Sequence, residues 1–468
     1  MKTVALRRRS GAAVDTAAIQ VFKQGFSGHV LAPGDHGYDS ARRIWNASID
    51  KHPGLIARCL QAADVVRAVT FSRANDLLVA VKGGGHNVAG RAVVDDGIVI
   101  DLSAMNAVSV DPELGVVHVQ AGALLGDVDR ETYPYGLAVP AGVVSKTGIA
   151  GLTLGGGVGW LVRKYGLTCD NLLSCEVVTA EGEISTADAK TNADLFWALR
   201  GGGGNFGVVT SFVFQACPVS TVLGGLVVYA RDQAAAVLRH YRDFMASAPE
   251  ELTAYAGLIS MPDGRPAVAV LACYCGGLIE GERILKPLRA FGSPIADMIS
   301  PMPFPMMQKL ADEASPDNIY NYWRSTFLKD LSDEVIDLVI EHANRAQSPL
   351  TSVLIQLFSG AMSRVDNAAT AFAQRHAGYN VGIETKWIDP AESDKHIAWT
   401  RELARALKPY SSNAYLLNFL GDEGQESVRE AFGSNYSRLV DVKTKYDPTN
   451  FFSLNQNIEP HRLTRRNA

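Results

Sequence analysis

The sequence predicts an α+β protein of two units. Its 468 residues exceed what one typical hydrophobic core holds, so two domains are expected. Up to about Cys217-Pro218 the strands are short and separated by glycine-rich loops. Beyond that point, residues 221–430 carry longer alternating strands with amphipathic helices between them. That pattern fits a sheet with helices on one face. From 427 to 458 the chain is again loop-rich and aromatic.

Each element follows from local pattern. Residues 11–50 are mixed and read as a surface wrap. Leu55-Ile56-Ala57-Arg58 reads as a strand, and 62–75 place apolar residues at helical spacing. Leu78-Val79-Ala80-Val81 is a buried strand that runs into a loop over 82–90, and Ile98-Val99-Ile100-Asp101-Leu102 is the next strand. Residues 106–119 read as a hairpin turning at Asp111-Pro112-Glu113-Leu114-Gly115, and 124–135 as a short helix. After a glycine-rich run, 173–178 and 184–186 form a hairpin around Ala180-Glu181-Gly182. A helix over 192–199 leads to a glycine loop at 201–204 and a strand over 206–214. In the second unit, strands are expected at 225–229, 267–274, 351–358 and 379–387. Helices are expected near 233–245, 331–343 and 394–407. Tyr320 and Tyr322 alternate on a further strand, where they either stack an aromatic ring or belong to the core.

Composition excludes several classes. Hydrophobic residues at 47% and charged residues at 20% are ordinary for a soluble globular protein. The net charge is -5, and the one basic run, Arg7-Arg8-Arg9, reads as a solvated end, so nucleic acid is not an expected partner. No stretch of about 20 apolar residues exists, and the basic N-terminus lacks the apolar core of a secretory signal. The expectation is a cytoplasmic protein with no membrane contact, a monomer or a homodimer. Among the six cysteines there is no C-x-x-C pair; Cys273 and Cys275 share a strand face and read as small core residues rather than metal or redox ligands. No metal is expected.

Four constellations stand out. In Lys82-Gly83-Gly84-Gly85-His86-Asn87-Val88-Ala89-Gly90, directly after a strand, the glycines free backbone N–H groups to face an anion, with His86 against whatever the loop holds. The alternative is a plain turn with an incidental histidine. Residues 142–159, with Gly142, Gly148, Gly151, Gly155, Gly156, Gly157 and Gly159, form either a backbone wall for a flat ligand or a packing corner. Gly202, Gly204 and Gly207 match G-x-G-x-x-G, but a helix precedes them and a strand follows, so the dinucleotide fingerprint is rejected. On 379–387, alternation puts Gly382, Glu384 and Lys386 on one face. That is either an acid–base pair for a substrate or an exposed ion pair.

Taken in order, these segments resemble one family. They are joined by Arg163-Lys164-Tyr165-Gly166-Leu167, Asp170-Asn171-Leu172 and Trp197-Ala198-Leu199-Arg200-Gly201-Gly202-Gly203. The tail adds Asn435-Tyr436-x-Arg438-Leu439, Lys445-Tyr446-Asp447-Pro448-x-Asn450-x-Phe452 and Asn455-Gln456-Asn457-Ile458. Across nearly the whole chain, the set resembles the berberine bridge enzyme-like FAD-linked oxidases. These include 6-hydroxy-D-nicotine oxidase, within the vanillyl-alcohol oxidase and p-cresol methylhydroxylase superfamily.

The resemblance implies a two-subdomain FAD-binding module of the p-cresol methylhydroxylase type, residues 1–220 with a core of about 50–218. A substrate-binding domain of antiparallel sheet plus helices, 221–430, is inserted, and a tail, 431–468, returns to the first domain. It implies FAD bonded through His86 to the 8α carbon, with Gly84, Gly85 and Asn87 helping to cradle the pyrophosphate and Gly83 and Gly90 of the same loop also binding the cofactor. Gly142, Thr147, Gly148, Gly151, Leu152, Gly156 and Gly159 would line the cofactor. Asn205, Gly207 and Val208 would lie by its adenine half, and Asn455 and Asn457 by the isoalloxazine.

Two departures from the family pattern bear on chemistry. Where many relatives carry a second, cysteinyl flavin link, this chain has Val144, so a single link is expected. Where relatives often place a tyrosine base after an asparagine, Asn418 is followed by Phe419. The proton-accepting role then falls to Tyr415, to Glu384 or Lys386, or to no protein group. The implied reaction moves a hydride from a C–H beside O or N of a small-molecule substrate to flavin N5, with molecular oxygen reoxidising the flavin to give hydrogen peroxide. Thr147, β-branched at the position where the family controls oxygen access, points to an oxidase. The competing readings are a dehydrogenase with another acceptor and a non-catalytic flavin- or ligand-binding protein.

Overall fold

The computed structural model describes residues 5–462 apart from Ala377, Asn413 and Asp422. Strands Leu55–Arg58 and Ile98–Asp101 are almost wholly apolar, so they run buried and parallel at the centre of a four-stranded sheet. Val79–Lys82 joins parallel on one side and His29–Leu31 antiparallel on the other. Helix Ala62–Ala74 makes the crossover and buries Val65, Ala68 and Val69.

A second, five-stranded antiparallel sheet has the order Val108–Asp111, Val116–Gln120, Val208–Gln215, Leu172–Val178, Ile184–Asp188. The glycine-rich run leaves this sheet after Gln120 and returns at Leu172. Both sheets share one core with the C-terminal helices Gly424–Phe432 and Tyr436–Tyr446, through Phe432, Leu439 and Ile458.

The third sheet is eight-stranded and antiparallel. Its path is Ala296–Asp297, Thr221–Ala230, Pro266–Tyr274, Leu252–Ser260, Ser352–Phe358, Gly378–Trp387, Tyr320–Leu328, with Ser300–Pro303 also on Thr221–Ala230. Val381 and Ile383 pack into a core with helices Ala234–Met245, Leu278–Arg289, Asp333–Ala343 and Ser393–Leu407. Period-two alternation therefore turns Gly382, Glu384 and Lys386 to the opposite face, toward the first unit.

Several details differ from expectation. Arg9 is not merely solvated: its guanidinium donates to the Phe451 carbonyl at 2.9 Å and ties the start of the chain to the tail. The short ladder of Leu137–Ala138 with Cys217–Pro218 and the edge strands Ala296–Asp297 and Ser300–Pro303 carry too few residues for a legible alternation. Cys273 is fully buried on its strand, and burial pushes its thiol well up.

Candidate active site

Strand Val79–Lys82 delivers the chain into Gly83-Gly84-Gly85, where two backbones meet almost in contact. A Cβ on Gly84 would lie 2.4 Å from the Gly148 nitrogen, and one on Gly148 would lie 2.4 Å from the Gly84 nitrogen. Only glycine fits at either place. Gly83 is similarly close to the Ala121 carbonyl, 3.0 Å from its would-be Cβ. The Lys82 ammonium donates to the Ala41 and Arg43 carbonyls, and the Trp45 N–H donates to the Gly85 carbonyl at 3.1 Å. Asn87 closes the turn: its Oδ1 accepts from the Arg91 N–H and its carbonyl from the Gly90 N–H.

Gly148 starts helix Ile149–Leu154. Within the run, Gly142 meets Leu125 and Leu152, Gly156 meets Phe372, and a Cβ on Gly159 would fall 1.8 Å from the Ala141 carbonyl. These three are packing glycines. Gly151 differs: nothing lies within 4 Å of its would-be Cβ, and Leu152 and Thr147 beside it are only half-buried. Val144 is buried, and the Thr147 N–H donates to its carbonyl. From the inserted domain, Asp312 accepts from the Ser145 N–H at 2.7 Å and its Oγ at 2.5 Å, and Gln308 donates to the Gly142 carbonyl at 2.7 Å.

His86 stacks on Trp45 with ring centroids 4.3 Å apart and planes at 15°. Burial pulls its pKa down to about 4, against the opposing pull of Asp317 and Asp312, so the imidazole is neutral at neutral pH. Trp45 meets Trp323 edge-on at 5.2 Å, and Trp323 meets Phe419 edge-on at 5.5 Å. The Lys386 ammonium lies 5.7 Å from the Trp323 ring centroid. Lys386 and Glu384 form an ion pair at 3.0 Å that is buried, 2% and 8% exposed, rather than solvated. The Lys386 donors go to Glu384, the Ala314 carbonyl and Ser352 Oγ; Ser352 Oγ also donates to Glu384 at 3.3 Å.

The remaining sequence-predicted residues fall into two groups. Asn205 is fully buried: its amide donates to the Gly202 and Gln456 carbonyls, and its Oδ1 accepts from the Ile458 N–H. It clasps the tail to the glycine loop. Asn455 donates to the Gly204 carbonyl at 2.8 Å, Gly207 packs on Val177 and Val178, and Val208 pairs with Val178. Tyr415 packs its ring at the margin of the first core, and burial, then Glu430 and Glu423, push its phenol up. Tyr322 lies across from Thr385, and its hydroxyl accepts from Arg324 and Arg401, so it belongs to the helix-covered side. Trp45 and Trp323 went unread, because a single tryptophan in ordinary sequence carries no positional signal.

Among the described residues, His86 Nε2, Trp323 Nε1, Asn380 Oδ1, Asn418 Oδ1 and Asn457 Oδ1 are buried without a partner. Native interiors rarely leave so many unmet in one region. A backbone cradle that excludes Cβ atoms, an open helix face at Gly151 and a neutral orphaned imidazole together fit a flavin nucleotide. The fold and the site thus define a flavin-dependent oxidoreductase.

Comparison with known proteins gives the family. Residues 53–188 match the FAD binding domain model, and residues 414–459 match the berberine and berberine-like model. An FAD-linked oxidoreductase of Dictyostelium discoideum is 33% identical over 95% of this chain and 97% of its own. (R)-6-hydroxynicotine oxidase of Paenarthrobacter nicotinovorans is 32% identical over 92% of this chain and 97% of its own. The crystal structure of 6-hydroxy-D-nicotine oxidase from Arthrobacter nicotinovorans superposes with a TM-score of 0.86 at 31% identity, covering 93% of this chain and 98% of that one. The chain belongs to the berberine bridge enzyme-like family of FAD-linked oxidoreductases, with an FAD-binding module of the p-cresol methylhydroxylase type.

Proposed function

We propose that the protein is an oxidase that holds FAD through one covalent bond to His86 and oxidises a small ring-bearing amine or alcohol. The observation that carries this reading is the unbroken contact from His86 through Trp45 and Trp323 to the buried Glu384–Lys386 pair. It lines His86 and a buried ion pair along one wall, which supports reading them as attachment point and acid–base pair.

When bound, FAD would supply two-electron redox chemistry, with the substrate carbon as donor and molecular oxygen as final acceptor, giving hydrogen peroxide. The protein does the rest. Trp323 and Phe419 offer flat apolar faces that orient a ring and keep water out. Glu384 accepts the proton that a substrate hydroxyl or ammonium gives up; a neutral amine needs none. Lys386 holds the carboxylate in place with a fixed positive charge. Val144 offers no sulfur for a second tether. Thr147, at the open helix start, favours oxygen over another acceptor.

The test is a panel of cyclic secondary amines and benzylic alcohols, followed by oxygen uptake and peroxide release. One peroxide per oxygen consumed, with imine or carbonyl product, is expected. Flavin that is reduced by substrate yet stays reduced in air would contradict the oxidase reading.

A further inference from the structure

On the helix-covered side of the large sheet, a cavity of about 790 Å³ opens beside the end of helix Asp333–Ala343. Its floor is Leu258 and Val353, both part of the core between sheet and helices. Ser352, the neighbour of the cavity residue Thr351, bonds to Glu384 on the other face. The sheet therefore stands between this cavity and the wall that carries Glu384 and Lys386.

Among the residues that line the cavity, Arg231, Thr351 and Trp399 bear on a ligand. Arg231 gives hydrogen bonds to the Ala267 carbonyl, the Ile259 carbonyl and Asn344 Oδ1, all neutral oxygens. A guanidinium has five N–H groups, so two are left over. Burial pulls its pKa down and no neighbouring carboxylate offsets this; Asp232 sits exposed at the rim. Thr351 is 7% exposed, and its Oγ1 has no partner. Trp399, half-buried, uses its N–H on the His342 carbonyl, which leaves its ring as a wall.

We propose that this cavity is a second ligand site, separate from the flavin wall, for a small organic carboxylate carrying a flat ring. Its volume lies in the range of small-molecule sites, roughly 300–1,000 Å³. The carboxylate takes the spare N–H groups of Arg231, where a charge-assisted bidentate contact is strongest. Thr351 adds a hydrogen bond, and the ring packs on Trp399.

The test titrates indole-3-acetate into the flavin-loaded protein by calorimetry. One saturable site is expected, weakened about tenfold by Arg231→Gln and severalfold by Thr351→Val, and unchanged in Glu384→Gln. Arg231→Gln also removes bonds that hold the strand ends, so Thr351→Val, which deletes one hydroxyl, decides if the first variant fails to fold. Absence of saturable binding would overturn the proposal. So would binding that Glu384→Gln weakens while the Arg231 and Thr351 variants leave it intact, which would place the probe on the flavin side.

Discussion

His86 is neutral because burial outweighs the carboxylates near it, and that sets its chemistry. A neutral imidazole is a nucleophile; a protonated one is not. The proposed covalent uptake of FAD by flavin-free protein should therefore run at a constant rate from about pH 8 down to about pH 5, and slow only toward pH 4. A midpoint near the ordinary histidine value would contradict the burial argument. Asp129 runs the other way. Burial pushes its carboxyl up to about 8, and its Oδ2 has no partner. The folded state holds this proton when the unfolded state has released it, so stability falls as pH rises from the ordinary carboxyl range through about 8. Asp129→Asn should raise Tm at pH 8 and leave it unchanged near pH 4, as read by thermal melts. At the Glu384–Lys386 pair, Glu384→Gln should lower kcat/KM for an alcohol substrate by about 100-fold with flavin content intact. Lys386→Met strands a buried carboxylate and should lose about 3–5 kcal/mol of stability. The acid–base face was legible, because strict alternation puts residues 382, 384 and 386 together. Whether that face was buried was not, because burial depends on Trp323 and Ser352 from strands far away in sequence.

At the scale of elements, the glycine-rich segments divide by what a side chain would meet. Gly84→Ala or Gly148→Ala forces a methyl into the opposing backbone and should cost about 1–3 kcal/mol, with loss of flavin. Gly151→Ala meets open space. It should leave Tm unchanged and instead raise the FAD concentration that flavin-free protein needs for half-maximal flavin incorporation. A fall in Tm equal to that of Gly148→Ala would show that the helix face is not a cofactor wall. The sequence marked these segments as backbone approaches, since glycine clusters in apolar surroundings have few other uses. It could not say which glycine faces protein and which faces ligand. Gly142, Gly156 and Gly159, read together with Gly151, turn out to sit against Leu152, Phe372 and the Ala141 carbonyl.

At the scale of the molecule, the tail closes the first unit. Lys443 and Asp447 pair at 2.6 Å with both side chains fully buried, and the ammonium also donates to the Asn205 and Phe452 carbonyls. Asp447 in turn accepts from the Phe451 and Phe452 N–H groups. Lys443→Met should therefore free the tail and the glycine loop together, at a cost of about 3–5 kcal/mol, with flavin incorporation falling as proteolysis of the tail rises. Lost incorporation without tail cleavage would separate the two. The family resemblance implied a tail that returns to the first unit, whereas this buried pair, lying inside an unremarkable helix end, gave no sign of its role. We propose one flavin with one tether, at His86. It is tested most directly by acid precipitation of the protein, followed by mass spectrometry of the flavin-bearing tryptic peptide. Yellow precipitate whose only FAD-bearing peptide contains His86 is the predicted result; flavin left in the supernatant, or a flavin peptide lacking His86, would contradict it.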